Sequence, residues 1–268
     1  MDIPSNRRVL AIGAHPDDVE ILCAGLLLLL TRAGYEAHIA MLAVGDCGSA
    51  DLAPEKIAAV RRKEAERACR LIGARYHCLG FRDLQIFNDD VSNRRVTALM
   101  REVNPGIVIT HPPSDYMADH EGTSVLVRNA CFAAPAPNYD TSQFTPVRRA
   151  DGIPYLYYTQ PVEGVDLYGR AVLPGFYCDI SDVFETKLRM LASHESQREW
   201  LRQHHGMDEY LEAARRWTTA LGARASLLTG HDVGHAEGFR QHRGHAYPQD
   251  NVLASVLPDR IIAEPEFR

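Results

Sequence analysis

Residues His15-Pro16-Asp17-Asp18 place an imidazole and two carboxylates within four positions, a set suited to holding a divalent metal and activating water. His15 and Asp18 are three apart, so a tight turn through Pro16 aims both at one point and leaves the Asp17 carboxylate free beside them. A catalytic zinc typically takes three nitrogen or oxygen ligands and keeps a fourth position for water, whose pKa it lowers to about 7. The third ligand must come from elsewhere. The best source is His120, which closes Thr110-His111-Pro112-Pro113-Ser114-Asp115-Tyr116-Met117-Ala118-Asp119-His120. Such a donor set also suits non-haem iron, so the pattern calls for a divalent metal without choosing between zinc and Fe2+. The plainer reading is that Asp17 and Asp18 only cap the helix that follows. Two adjacent acids directly after a buried strand, with an Asp-His pair after another, favour the metal.

Those strands are legible as unbroken apolar runs. Val9-Leu10-Ala11-Ile12-Gly13 leads into His15, and Gly106-Ile107-Val108-Ile109 leads into the His120 segment. Buried parallel strands read this way, and open α/β sheets bind ligands where strand carboxyl ends meet loops. Strands are expected at 9–14, 37–44, 76–79, 106–110 and 155–159, and helices at 19–33, 54–72, 91–103, 121–132, 180–196 and 207–222. Pro54 opens its helix in the first turn and Gly73 closes it. With right-handed crossovers this alternation predicts an α/β, Rossmann-like, doubly wound and mainly parallel sheet. We expect one domain, with a core over about 7–200 and a helical and loop extension over about 201–268. The Pro-rich stretch at 133–152 reads as a loop able to shape a pocket.

Ala14-His15-Pro16-Asp17-Asp18-Val19-Glu20 resembles the hallmark of the PIG-L/LmbE-like de-N-acetylases, zinc enzymes that remove acetyl groups from N-acetylglucosamine-type sugars. The segments at 61–65, 80–84, 177–181, Lys187 with 194–197, and 236–240 resemble the family in the same order. The resemblance implies that His15, Asp18 and His120 hold the metal, with Asp17 as general base and then acid toward the leaving amine. It also implies that Asp46, Arg61 and Asp83 face the substrate. Each of the three has a simpler alternative as a turn acid or a solvated arginine. Asp119 is placed either toward substrate or behind a ligand imidazole.

One position departs from the family pattern. Many members carry His-Pro-Asp-His where this chain has Met117-Ala118-Asp119-His120, and methionine cannot donate a proton to the tetrahedral intermediate. Tyr116, His111 and His194 are the candidates to replace that donor, although a lone helical histidine such as His194 is more often structural. Without a replacement the chain would be a weak enzyme or a metal-containing sugar-binding protein. A related amidase acting on a larger acyl or cysteinyl-conjugate amide is the other alternative. A dinucleotide-binding oxidoreductase would need a Gly-x-Gly-x-x-Gly turn after the first strand, and that turn is absent.

The 29 basic and 35 acidic side chains leave a formal charge of −6, which gives no case for nucleic acid or an anionic membrane as partner. A small amino-sugar substrate is expected, and the resemblance allows a homo-oligomer. Residues 1–8 lack the pattern of a signal peptide, and the apolar run 21–30 is shorter than the roughly 20 residues a bilayer requires. Six scattered cysteines without a Cys-x-x-Cys pair suit a reducing compartment, so the expectation is cytoplasmic. The histidines at 231, 235, 242 and 245 lie among glycines and arginines and are not expected to form a second metal site.

Overall fold

The computed structural model describes residues 6–205 and 209–267. Its first half alternates as the apolar runs predict: β1 (Arg8–Gly13), α1 (Asp18–Leu22), α2 (Ala24–Arg32), β2 (Glu36–Ala43), α3 (Pro54–Arg70), β3 (Arg75–Phe81), α4 (Asp90–Val103), β4 (Ile107–Thr110), α5 (Ala118–Ala133) and β5 (Tyr155–Thr159). The second half adds β6 (Phe176–Asp179), α6 (Phe184–Ala192), α7 (Glu195–His205), α8 (Glu209–Thr229), β7 (Ala236–Gln241), α9 (Val252–Val256) and β8 (Ile261–Ala263). They form one sheet in the order β3-β2-β1-β4-β5-β7-β6-β8. The first five strands are parallel, and β7, β6 and β8 continue the sheet antiparallel.

β1 sits inside the sheet, with Ala11 opposite Ile39 on one side and Ile109 on the other. Its side chains alternate between two cores, as the period of two requires. Val9 and Ala11 pack with Leu26, Leu27 and Leu191 on one face, and Leu10 and Ile12 with Val96, Met100 and Leu126 on the other. From β1 the chain steps outward to β2 and β3 and then returns to β4. The crevice between the carboxyl ends of β1 and β4 is therefore the switch point at which such sheets bind ligands.

Three expectations are corrected by tertiary contacts. The apolar run at 19–33 is two helices broken at Cys23 (φ −148°, ψ 14°). The break is held by Glu237 on β7, whose carboxylate accepts the Gly25 and Leu26 N–H groups, both at 2.8 Å. Buried Lys187 donates to Glu237 Oε1 and to Ile21 O, both at 2.6 Å, so one ion pair caps α2 and ends α1. A Cβ on Gly25 would lie 2.6 Å from Ile180 Cγ2, which explains the glycine there. The helix expected over 180–196 is likewise two: α6 stops at Ala192, and Glu64 accepts the Ser196 N–H (2.8 Å) and Oγ–H (2.7 Å) at the start of α7.

The stretch after 200 is not an appendage, because β7 lies between β5 and β6 inside the sheet. The start of the helix expected at 207–222 falls outside the described residues, and α8 runs on to Thr229. The Pro-rich loop is pinned to α4 by buried Arg101, which donates to Ala134 O (3.1 Å), Ala136 O and Thr141 Oγ1 (both 2.7 Å). All six cysteines are free; four are buried, Cys78 is half-buried and Cys47 is exposed. No described helix is long and apolar enough to cross a membrane.

Candidate metal centre and cleft

The turns after β1 and β4 meet at a cleft of about 400 Å3. His15, Asp18 and His120 each direct one ligand atom into a group whose members lie within 4.8 Å of one another. Asp18 opens α1, and its Oδ2 accepts the His15 N–H at 2.7 Å, which closes the turn through Pro16. The Nδ1 of His15 is 3.7 Å from Asp18 Oδ2, and the Nε2 of His120 is 3.5 Å from Asp18 Oδ1. The other nitrogen of each ring is held from behind: His15 Nε2 by Asp119 Oδ2 and His120 Nδ1 by Asp115 Oδ1, both at 3.0 Å. A carboxylate behind each imidazole fixes its tautomer and raises its basicity toward a metal.

The electrostatics agree with that geometry. Burial works against the His15 cation, yet Asp119 and Asp18 raise its pKa to about 9. Burial is likewise outweighed at His120, which Asp18 and Asp115 bring to about 10. Burial would raise the Asp18 carboxyl, but the His120 and His111 rings hold it well below the usual range. Without a metal the site thus keeps protons on its imidazoles to balance its carboxylates, and a divalent cation would replace those protons. Two imidazoles and a carboxylate, each supported and converging, fit such a cation.

Asp17 is the N-cap of α1 and stands in the left-handed region at φ 113°, a conformation that a residue with a Cβ seldom takes. Burial raises its carboxyl above the usual range, with Arg61 pulling against that and Asp18 adding to it. Arg61 Nη2 donates to Asp17 Oδ2 (3.0 Å) and to Pro16 O (2.6 Å). Arg61 reaches them because Gly45 and Gly48 lie in its path; a Cβ on either would come within 2.7 Å of it. The Tyr210 hydroxyl, from α8, donates to the same Asp17 oxygen.

The remaining expected residues separate clearly. Tyr116 lines the cleft with its ring edge-on to His120, centroids 5.4 Å apart. His194 is fully buried beside Glu20 (3.5 Å) and does not line the cleft. His111 stacks on His120 at 4.0 Å, with its Nε2 2.9 Å from Asp18 Oδ2 and 3.1 Å from the Ala14 nitrogen, which puts it behind the candidate ligands. Of the three candidates for the missing donor, Tyr116 alone faces the cleft. Asp46 is outside the cleft lining: its oxygens accept from Asp83 N–H (2.9 Å) and Arg82 Nε (2.7 Å). Asp83 lines the cleft, but its oxygens accept the Gly45 and Cys47 N–H groups, both at 2.9 Å. Both acids therefore tie two loops together. Arg61, expected to face substrate, is spent on Asp17, and Asp119 stands behind His15. The loop at 135–152 contributes nothing to the lining, whereas Cys47 and Gly48 do.

The sequence reading gave no role of their own to Asp115, Gln197, Tyr210 and Trp217. Asp115 carried a signal, an acid in the turn before His120. Gln197 reaches the cleft from α7 and lay within the family-like segment 194–197, whereas Tyr210 and Trp217 reach it from α8 and nothing in their local sequence announces it.

The sequence pattern of the PIG-L family, GlcNAc-PI de-N-acetylase, matches residues 10–131. The chain is 31% identical over 202 residues to a probable N-acetyl-alpha-D-glucosaminyl L-malate deacetylase 2 of Bacillus cereus, spanning 72% of this chain and 84% of that one. It is 29% identical over 199 residues to a diacetylchitobiose deacetylase of Thermococcus kodakarensis, spanning 71% and 70%. The fold is shared with GalB, the 4-carboxy-2-hydroxymuconate hydratase of Pseudomonas putida, at a TM-score of 0.74 and 21% identity, covering 91% and 100%. The supported histidines, the buried Asp17 and these likenesses agree, and the chain belongs to the PIG-L/LmbE-like de-N-acetylase family.

Proposed function

We propose that this protein hydrolyses the acetamide of an N-acetylglucosamine-type amino sugar or conjugate, with His15, Asp18 and His120 holding a divalent metal, zinc by preference and Fe2+ as the second choice. Bound there, the metal would polarise the acetamide carbonyl and acidify water. The observation that carries this reading is Asp17, a buried carboxyl raised above its usual range at the edge of that donor set. A carboxylate so placed takes a proton from the attacking water and returns it to the departing amine. The overall change is acetamide plus water to free amine plus acetate. Arg61 and Tyr210 hold one oxygen of Asp17, which leaves the other to act.

Tyr116 takes the part of the absent family histidine. Its phenol, with an ordinary pKa of about 10, stays a protonated donor at neutral pH. Asp115 and Asp119 orient the ligand imidazoles, and Asp83 shapes the wall on the substrate side. The hydration of a carboxylated muconate named for GalB gains no support from the described side chains of the cleft, whose guanidinium, Arg61, is already paired with Asp17.

Acetate release from N-acetylglucosamine and its glycosides by the metal-loaded protein, with Asp17→Asn run beside it, tests the proposal. Release by the wild type, reduced about 10²- to 10⁴-fold in the variant at equal metal content, is expected. A variant that keeps most of the activity removes Asp17 from its role.

A further inference from the structure

The mouth of the cleft differs in character from its floor. Leu84, Tyr116, Met117, Val162 and Trp217 line it, and two of these stand well into solvent, Leu84 at 65% and Tyr116 at 62% exposure. Leu84 is also held in the left-handed region at φ 62°, which its Cβ disfavours. Its N–H is fixed at 2.7 Å by Asp119 Oδ2, the same oxygen that holds His15 Nε2. A strained backbone fixed from behind a metal ligand keeps an exposed leucine at the rim, and strain of this kind concentrates at ligand-contacting positions.

The mouth offers no free cation among the described residues. The His15 and His120 imidazoles lie on the floor against Asp18, Asp119 and Asp115, and the one described guanidinium in the lining, Arg61, is buried and committed to Asp17 and Pro16 O. No described lysine lines it, and neighbouring Arg82 is bound to Asp46 outside the lining. A carboxylate brought to this mouth would lose water without gaining a counter-charge. A ring with an apolar face can lie on leucine and tyrosine, and an ammonium gains further from the aromatic faces.

Resting on the deacetylase reading, we infer that the mouth is the subsite for the group attached to the amino sugar, and that it takes an uncharged or amine-bearing ring and rejects a carboxylate-bearing one. Three N-acetylglucosamine glycosides of one shape test this: cyclohexyl, 4-aminocyclohexyl and 4-carboxycyclohexyl. Binding is read by calorimetry on the Asp17→Asn protein and on wild type stripped of metal, and turnover on the loaded wild type. The carboxylate glycoside is expected to bind at least tenfold more weakly than the other two. Leu84→Asn keeps a residue that tolerates the left-handed backbone. It is expected to raise KM for the cyclohexyl glycoside at least threefold more than KM for N-acetylglucosamine itself.

Equal binding of the three glycosides, or tighter binding of the carboxylate, overturns the subsite. An equal effect of Leu84→Asn on both substrates does the same. The expected order without acetate release from any glycoside overturns the deacetylase reading and keeps the subsite. Turnover without the order does the reverse.

Discussion

Asp119→Ala should weaken metal binding, and by an amount that depends on pH in a direction the structure fixes. Asp119 Oδ2 lies 3.0 Å from His15 Nε2 and leaves Nδ1 to face Asp18. Losing a carboxylate behind a ligand imidazole typically costs about 10- to 100-fold in metal affinity, or about 1.4 to 2.7 kcal/mol at 1.36 kcal/mol per tenfold. A hydrogen bond to a charged group, worth about 1.5 to 3 kcal/mol, gives the same range. The same carboxylate also stabilises the competing proton, since Asp119 and Asp18 raise His15 to about 9 against the pull of burial. Below that pH the wild type must shed a proton to bind metal, and the variant, whose imidazole is less basic, gives up less. The full 10- to 100-fold loss is therefore expected at about pH 9 and should narrow toward pH 7. Competition with a chelator of known affinity, at fixed free metal and across this range, measures it. A loss that is constant with pH, or largest in acid, would refute the assignment of Asp119 to His15.

Further predictions follow from other contacts. Tyr116→Phe removes the one cleft-facing candidate for the missing donor, so kcat should fall about 10²-fold with metal content unchanged; unchanged kcat in stopped acetate assays would return the role to another group. Glu237→Gln leaves the Lys187 ammonium buried without its counter-ion and turns an amide toward an α2 N–H. It should cost about 3 to 5 kcal/mol and lower Tm by on the order of 10 °C, and a calorimetric Tm within 2 °C or so of wild type would contradict this. His38 shares a 2.9 Å hydrogen bond with His77, and burial first, then His77, hold it down to about 4. Between about 6.5 and that value the unfolded chain binds a proton that the folded chain does not, so stability falls as pH drops through the window. After allowance for solvent screening the loss is about 1 kcal/mol, and urea unfolding of His38→Phe should show it removed.

What the sequence reveals depends on how far each residue's partner lies along the chain. His15, Asp17 and Asp18 share one turn, and an apolar run on their N-terminal side announces the strand end that carries them, so local pattern suffices. His120 needs one further inference, that β4 lies beside β1, and the alternation of elements supplies it. Asp46 and Asp83 were the harder case. Acids in loops near a site invite a ligand, but Asp46 accepts the Asp83 N–H and Asp83 accepts those of Gly45 and Cys47, and only the pairing of two turns 37 residues apart reveals that. Tyr210 lies 193 residues from the carboxylate it touches. Amphipathic periodicity reports which face of α8 is buried and is silent on what that face meets.

The break at Cys23 shows the same limit working on secondary structure. Ile21 to Leu30 is apolar enough for one continuous helix, and nothing within it stops a helix except Gly25, which alone costs about 1 kcal/mol. The stop is imposed by a carboxylate from β7, a strand that pattern reading missed. Ala236–Gln241 carries no apolar run, because Glu237, Gly238 and Arg240 interrupt it. A buried glutamate looks like an error in a strand and an apolar helix looks unbroken, until the two are placed together with Lys187. The polar pair then satisfies the N–H groups that the break exposes. It also fixes where α1 ends, and α1 is the helix whose first residue is Asp18. The placement of Asp18, the proposed metal ligand that opens α1, therefore depends in part on an ion pair drawn from the far end of the chain.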